Sequence, residues 1–135
     1  MNEAAATIEV LLVEDSSADA RLTQEVLKGG NIRNHLTIVT DGVEALSYLR
    51  REGRYCDALR PDLVLLDLNL PKMDGREVLK RIRTDPALWS IPVVVLTTSG
   101  AEGDVAGAFA ERADSYLQKP VDLHAFMRIV EGLVA

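Results

Sequence analysis

Carboxylates follow two of the apolar runs in this chain, at the point where each run ends. The run Ile8–Val13 is followed directly by Glu14 and Asp15. The run Leu63–Leu66 is followed by Asp67. Apolar runs without alternation are typical of strands covered on both faces, and the ligands of such parallel sheets bind beyond the carboxyl ends of the strands. We therefore expect the three carboxylates to share one edge, with Asp67 as the candidate nucleophile.

Carboxylates that share one edge of a sheet repel one another and need a compensating cation. Two unit charges about 4 Å apart cost roughly 4 kcal/mol at an effective dielectric constant near 20. Mg²⁺ relieves this repulsion, because carboxylate oxygens, backbone carbonyls and water are the ligands that it prefers. Mg²⁺ is therefore the expected cofactor.

Two further polar residues follow predicted strands and complete a set of groups suited to phosphoryl transfer. Thr97 follows the apolar run Pro92–Leu96, and Lys119 follows Ser115–Gln118. Transfer of a phosphoryl group to a carboxylate requires the nucleophile, a metal ion, a cation and a hydroxyl donor. An acyl phosphate on Asp67 would carry close to two negative charges, which Lys119 and Thr97 can bind.

The elements that position these residues are strands alternating with helices. The predicted strands are Ile8–Val13, Leu36–Val39, Leu63–Leu66, Pro92–Leu96 and Ser115–Gln118. Alternation of this kind requires right-handed crossovers and gives a doubly wound, five-stranded parallel α/β sheet with five helices. Periodicity does not determine the order of the strands.

Capping residues indicate the helix boundaries. Ser16 or Ser17 can cap the first helix. Capping-box spacing starts three later helices, at Asp41 with Glu44, Asp74 with Glu77 and Ser99 with Glu102. The predicted stops are Gly29-Gly30, Gly53 and Asp85-Pro86, and the last helix runs from about Asp122 to Val134. Gly103 and Gly107 weaken the helix that starts at Ser99, since each costs about 1 kcal/mol relative to Ala.

Helical spacing of apolar residues predicts which side chains face the core. The predicted inward residues are Leu22 and Val26 in the first helix, Val43, Leu46 and Leu49 in the second, Val78, Leu79 and Ile82 in the third, and Leu123, Phe126, Val130 and Leu133 in the last.

Composition limits the class of protein. The 135 residues are 47% apolar and 27% charged, as in a soluble globular protein of one domain. The single Cys56 forms no internal disulfide and fits a reducing cytoplasm. No apolar run approaches the roughly 20 residues of a membrane span, and Met1–Thr7 does not have the pattern of a signal peptide. The net charge of −6 argues against direct binding of DNA. We expect a cytoplasmic protein that contacts neither DNA nor membrane directly.

With these residues in this order, the chain resembles the receiver domain of two-component response regulators, from Ile8 to Leu133. The resemblance implies the flavodoxin-like strand order 2-1-3-4-5. It also implies a single receiver domain over residues 1–135, with its core at 8–134 and no output domain. Such a protein is not an enzyme beyond its own phosphorylation and dephosphorylation.

The resemblance also implies a role for each residue at the strand ends. Asp67 corresponds to the phosphoacceptor. The Mg²⁺ ligands are Asp15, Asp67 and the backbone carbonyl of Asn69, and Glu14 supports the metal ion through water.

The remaining roles concern the phosphate and the conformational switch. Lys119 corresponds to the phosphate-binding lysine, and the family's Lys-Pro bond, here Lys119-Pro120, is usually cis. Thr97 corresponds to the switch hydroxyl and Tyr116 to the switch aromatic residue.

The implied partners are proteins. A sensor histidine kinase would donate the phosphoryl group, an unidentified downstream protein would receive the signal, and a homodimer would form through the last two helices and the fifth strand. The long connection before the third strand and the segment Leu68-Asn69-Leu70-Pro71 resemble stand-alone receivers that partner phytochrome-type kinases in bacteria.

Three other functions are compatible with parts of the pattern. A haloacid-dehalogenase-type phosphatase also uses an aspartyl nucleophile, but requires a second aspartate where this chain has Asn69. A flavin or nucleotide binder would need a phosphate-cradling loop after the first strand, where Glu14 and Asp15 repel phosphate in the absence of a metal ion. A degenerate receiver would serve only as an interaction scaffold, and the complete set of site residues argues against it.

Overall fold

Five parallel strands form one sheet in the computed structural model, which describes residues 7–30, 33–97 and 113–134. The strands are β1 (Ile8–Val13), β2 (Asn34–Val39), β3 (Leu63–Asp67), β4 (Val93–Thr97) and β5 (Ser115–Gln118). Their order is β2-β1-β3-β4-β5, and every neighbouring pair is parallel. The predicted sheet and the implied strand order are both confirmed.

The described residues contain four α-helices and one short 3₁₀ helix. The helices are α1 (Ser17–Lys28), α2 (Gly42–Arg50), α3 (Gly75–Thr84) and α4 (Leu123–Val134), and the 3₁₀ helix is Gly53–Tyr55. The helix predicted to start at Ser99, with Glu102, Gly103 and Gly107, lies outside the described residues. None of the helices within the described ranges is long and apolar enough to cross a membrane.

The sheet separates two apolar layers because side chains of each strand point alternately to opposite faces. Helices α2 and α3 cover one face, where Leu46 and Ile82 pack against Val64. Helices α1 and α4 cover the other face, where Leu27 and Phe126 pack against strand side chains such as Leu65. All five residues of β3 are buried, so the strand that ends in Asp67 is held from both sides.

Two predicted core positions are wrong. Leu22 is 55% exposed and Val43 is 48% exposed. Helix α1 instead buries Ala20, Thr23 and Leu27, which follow one helical face at i, i+3 and i+7. A prediction based on large apolar residues misses this face, because Ala20 is small and Thr23 is polar. In the last helix Phe126 and Val130 are buried as predicted, Leu123 is partly buried, and the side chain of Leu133 lies outside the described residues.

Side-chain caps start the helices, with one difference from the predicted pattern. The Ser16 hydroxyl accepts from the backbone N–H of Asp19, and the Asp41 carboxylate accepts from that of Glu44 at 2.7 Å. Asp74 caps α3 as predicted, but its carboxylate accepts from the N–H of Arg76 rather than from that of Glu77, and the Glu77 side chain pairs with Arg81.

The stop of α2 also differs from the prediction. Arg51, not Gly53, caps the helix in the left-handed conformation, with φ of 58°. Gly53 has the same φ and begins the 3₁₀ helix of the connection that precedes β3. The connection therefore contains one short helical turn.

Candidate phosphoacceptor and metal site

The carboxyl ends of β1, β3, β4 and β5 bring the predicted site residues to one edge of the sheet. Glu14, Asp67 and Thr97 are all buried there, with 1%, 4% and 2% of their surfaces exposed. Lys119 follows β5, and its backbone N–H donates to the carbonyl of Thr97 at 2.6 Å. The Lys119-Pro120 bond is cis, as the resemblance implied.

Three carboxylates form the acidic part of the site. Oxygen atoms of Glu14, Asp15 and Asp67 all lie within 4.8 Å of one another. Glu14 and Asp67 are buried whereas Asp15 is exposed, so the cluster opens to water on one side. The N–H of Asn69 donates to Asp67 at 3.1 Å and holds the following turn beside this carboxylate. An all-oxygen donor set with access to water fits a hard divalent cation such as Mg²⁺.

The ammonium group of Lys119 makes three ion pairs within this edge. Its Nζ atom lies 2.8 Å from Glu14, 3.1 Å from Asp67 and 3.1 Å from Asp19. Asp19 was not among the site residues predicted from the sequence. Its position in the first turn after β1 could have indicated it, because that turn starts at the same edge of the sheet.

The family model for the response regulator receiver domain matches residues 10–131. The chain belongs to this family. The receiver resembles Response regulator Rcp1 of Synechocystis sp. (strain ATCC 27184 / PCC 6803 / Kazusa), with 50% identity over 124 residues, 92% of this chain and 84% of Rcp1. The crystal structure of Mn²⁺-bound Rcp1 matches it with a TM-score of 0.75 and 49% identity, over 93% of this chain and 91% of that chain.

Two further solved receivers are similar along nearly the whole chain. The bacteriophytochrome response regulator RtBRR gives a TM-score of 0.84 at 39% identity, over 95% of this receiver and 78% of that chain. The phosphorylated cyanobacterial phytochrome response regulator RcpA gives 0.77 at 48% identity, over 95% and 91%. The resemblance to the receiver family, including regulators named for phytochromes, is thereby confirmed.

Burial and neighbouring charges determine the protonation of the receiver's site. Burial raises the pKa of Glu14 to about 7, the hydrogen bond from Lys119 opposes this rise, and Asp67 adds to it. Burial alone would lower the pKa of Lys119, but hydrogen bonds to Glu14, Asp19 and Asp67 outweigh it and raise the pKa. Lys119 therefore stays charged, whereas the charge of Glu14 changes near neutral pH.

The two predicted switch residues lie on neighbouring strands but in different environments. Thr97 is buried at the end of β4, one residue beyond the position that pairs with Asp67 in register. Tyr116 lies on β5 and is 52% exposed. The structure thus places a hydroxyl-bearing residue next to the acidic edge and an aromatic ring outside it, and the roles of both residues stay predictions.

Proposed function

We propose that this receiver accepts a phosphoryl group from the phosphohistidine of a sensor kinase on Asp67, with Mg²⁺ as cofactor. The observation that carries the proposal is the 3.1 Å contact between Lys119 and the buried Asp67 beside two further carboxylates. Asp15, Asp67 and the carbonyl of Asn69 would hold the metal ion, with Glu14 acting through water. Bound Mg²⁺ supplies positive charge that reduces repulsion between the carboxylates and the phosphoryl oxygens.

Each residue then has a defined task in the transfer. The Asp67 carboxylate attacks the phosphorus atom, so that a new P–O bond forms while the P–N bond to the histidine breaks and its electron pair returns to the imidazole. Lys119, already directed at Asp67, donates a hydrogen bond to a phosphoryl oxygen. A carboxylate nucleophile attacks without a general base, because it has no proton to lose in the step.

The proposed output is a change of conformation that other proteins recognise. The Thr97 hydroxyl turns toward the phosphoryl group, and the exposed ring of Tyr116 moves inward. Such a modification biases a two-state element rather than creating a new structure. The signal leaves by protein contact in the cytoplasm, with no direct binding of DNA or membrane.

The names of the relatives support a narrower proposal for the kinase. RtBRR is named a bacteriophytochrome response regulator, and RcpA a cyanobacterial phytochrome response regulator. We infer a phytochrome-type histidine kinase as the donor for this receiver. Phosphotransfer from a purified phytochrome-type kinase should be faster than transfer from an unrelated histidine kinase, and equal rates would contradict this partner.

The decisive experiment for the phosphoacceptor is intact mass after incubation with acetyl phosphate. We expect one phosphate adduct that requires both Mg²⁺ and Asp67, so that Asp67→Asn gives none. Asp57→Asn is the matched control, since Asp57 is an exposed loop carboxylate and its variant should be phosphorylated normally. Absence of an adduct under every condition would favour the scaffold function, and an adduct on Asp67→Asn would place the acceptor elsewhere.

The proposed homodimer has a separate test. Light scattering with and without beryllofluoride, a mimic of the phosphoryl group, should show a rise from monomer to dimer mass. A constant monomer mass at tens of micromolar would remove dimerisation from the proposal and leave the phosphorylation chemistry intact.

A further inference from the structure

Lys119 has a third carboxylate partner that is neither the proposed nucleophile nor a proposed metal ligand. Asp19 lies 3.1 Å from the Lys119 Nζ atom, and the two residues are 100 positions apart in the chain. Its side chain is 39% exposed, whereas those of Glu14 and Asp67 are 1% and 6% exposed. The first turn of α1 holds Asp19 in place, because the Ser16 hydroxyl caps its backbone N–H at 3.2 Å.

All three N–H donors of the Lys119 ammonium group have an acceptor in this arrangement. A lysine ammonium has three N–H donors and no acceptor. Glu14, Asp19 and Asp67 each accept from Lys119, at 2.8, 3.1 and 3.1 Å. A phosphoryl oxygen on Asp67 must therefore compete with a carboxylate for Lys119. Asp19 is a competitor that would remain after Asp67 is modified.

The charge of Asp19 acts in two opposite ways on the two groups that the site is proposed to bind. A carboxylate near the acidic cluster attracts a divalent cation. The same carboxylate repels a phosphoryl group, which carries close to two negative charges. It also draws Lys119 away from the phosphoryl oxygens.

We propose that Asp19 is a positioning residue that holds Lys119 through α1 and weakens the binding of a phosphoryl group at Asp67 while strengthening the binding of Mg²⁺. This inference rests on the proposed phosphoacceptor function. It assigns to Asp19 a specific effect: the side chain sets the balance between the metal-bound and the phosphoryl-bound states of the site.

The surroundings of Asp19 make a clean test feasible. The side chain lies at the rim of a cleft of about 280 Å³ that is also lined by Leu22, Thr23, Lys119 and Pro120. An Asn side chain there stays in contact with water and can still accept from Lys119, whereas an Ala side chain leaves Lys119 with Glu14 and Asp67 as its acceptors. Glu25 provides a control on the same helix, because it is 61% exposed and its described ion pair is with Lys28.

The test is a pair of titrations by calorimetry at fixed ionic strength. Mg²⁺ alone is titrated first, and beryllofluoride is then titrated at saturating Mg²⁺. For Asp19→Asn we expect about fivefold weaker Mg²⁺ binding and about fivefold tighter beryllofluoride binding, as the loss of one nearby, partly screened charge implies. Asp19→Ala should change both affinities in the same directions, Asp19→Glu should restore them, and Glu25→Gln should leave both unchanged.

Opposite shifts of the Mg²⁺ and beryllofluoride affinities distinguish the proposed role of Asp19 from a purely structural one. If Asp19 only stabilised α1 or the fold of the site, its loss would weaken both ligands together, and that result would overturn the proposal. Unchanged affinities, or a Glu variant that behaves like the Asn variant, would overturn it as well. Failure of the wild-type protein to bind beryllofluoride would overturn the phosphoacceptor function itself, whereas normal wild-type binding with an unaltered Asn variant would remove only the role of Asp19.

Discussion

The backbone of Gly75 lies so close to Asp67 that a Cβ atom on Gly75 would be 2.3 Å from the carbonyl oxygen of Asp67. The N–H of Gly75 also donates to the carbonyl of Leu68 at 3.0 Å. The start of α3 is therefore packed directly against the backbone that ends β3. Only a residue without a side chain fits this contact, so a side chain at position 75 would displace the backbone that carries Asp67.

Gly75→Ala should consequently disturb both the fold and the proposed phosphoacceptor, Asp67. We expect the free energy of unfolding to fall by about 1–3 kcal/mol, as for other overpacked sites, and the acetyl phosphate adduct to form more slowly. Gly132→Ala is the control, because a Cβ there has nothing within 4 Å. It should be neutral or stabilise α4 by up to about 1 kcal/mol. Equal stability of the two variants in urea unfolding would contradict the close contact.

The raised pKa of Glu14 predicts a pH-dependent stability. The unfolded group has its ordinary pKa of 4.5 and the folded group has a pKa of about 7. Between these values the folded protein holds a proton that the unfolded chain releases, so the contribution of Glu14 to the free energy of unfolding falls as pH rises and is lost above about pH 7. Glu14→Gln, which does not titrate, should become more stable relative to wild type from pH 5 to pH 8. A constant difference across this range in metal-free buffer would refute the assignment.

The same protonation predicts that Mg²⁺ binding depends on pH. A metal ion competes with protons for its ligands, and protonated Glu14 cannot contribute its charge. We expect the Kd for Mg²⁺ to fall as pH rises toward 7, by up to about tenfold per pH unit, and then to level off. Calorimetry of Glu14→Gln should give a flatter profile. A wild-type affinity that does not vary between pH 6 and pH 8 would show that Glu14 is not linked to the metal ion.

The proposed switch role of Thr97 can be tested separately from its packing in the core. Thr97→Val keeps the shape of this buried side chain and removes the hydroxyl, whereas Thr97→Ser keeps the hydroxyl. We expect both variants to carry phosphate on Asp67, but only the Ser variant to change the environment of Tyr116 when phosphorylated. The chain has three tyrosines, so ¹⁹F NMR of fluorotyrosine-labelled protein can resolve this ring. A normal Tyr116 response in Thr97→Val would eliminate the hydroxyl from the switch.

Arg83 should stabilise the fold away from the site. Its guanidinium group donates to the carbonyls of Trp89 and Ile91, both at 2.9 Å, and to the Asp114 carboxylate at 2.8 Å. It thereby joins α3 to the segments that enter β4 and β5. We expect Arg83→Met to lower the free energy of unfolding by about 2 kcal/mol, since hydrogen bonds from a charged group are lost, one of them at the partly buried carbonyl of Ile91.

Arg81→Met on the same helix is the comparison for Arg83. The described ion pair of Arg81 is an exposed i, i+4 contact with Glu77, which contributes about 0.5 kcal/mol or less. Urea unfolding of the two variants should therefore differ clearly. Similar losses of unfolding free energy in Arg83→Met and Arg81→Met would mean that water replaces the Arg83 contacts without a loss of stability.

Local sequence patterns predicted most of the strands and helices, but they misplaced some buried side chains and one helix end. Strands β1 and β5 have the predicted bounds, because the residues that mark a strand and its ends lie within a few positions of one another. The predicted burial of Leu22 and Val43 was wrong. Hydrophobicity does not fix the rotation of a helix about its axis when small or polar residues share the buried face. The stop at Arg51 was missed because an arginine in the left-handed conformation has no sequence signal comparable to that of glycine.

The order of residues along the chain is enough to predict that carboxylates, a hydroxyl and a lysine follow strands of one parallel sheet, and hence that they lie at one edge. This conclusion needs only local periodicity and the polarity of parallel strands. That Lys119 reaches Asp19 as well as Glu14 and Asp67 is visible only in the folded protein, as is the burial that raises the pKa of Glu14 to about 7. Contacts between residues 100 positions apart depend on strand order and on how helices pack over the sheet, and neither follows from local hydrogen bonding or periodicity.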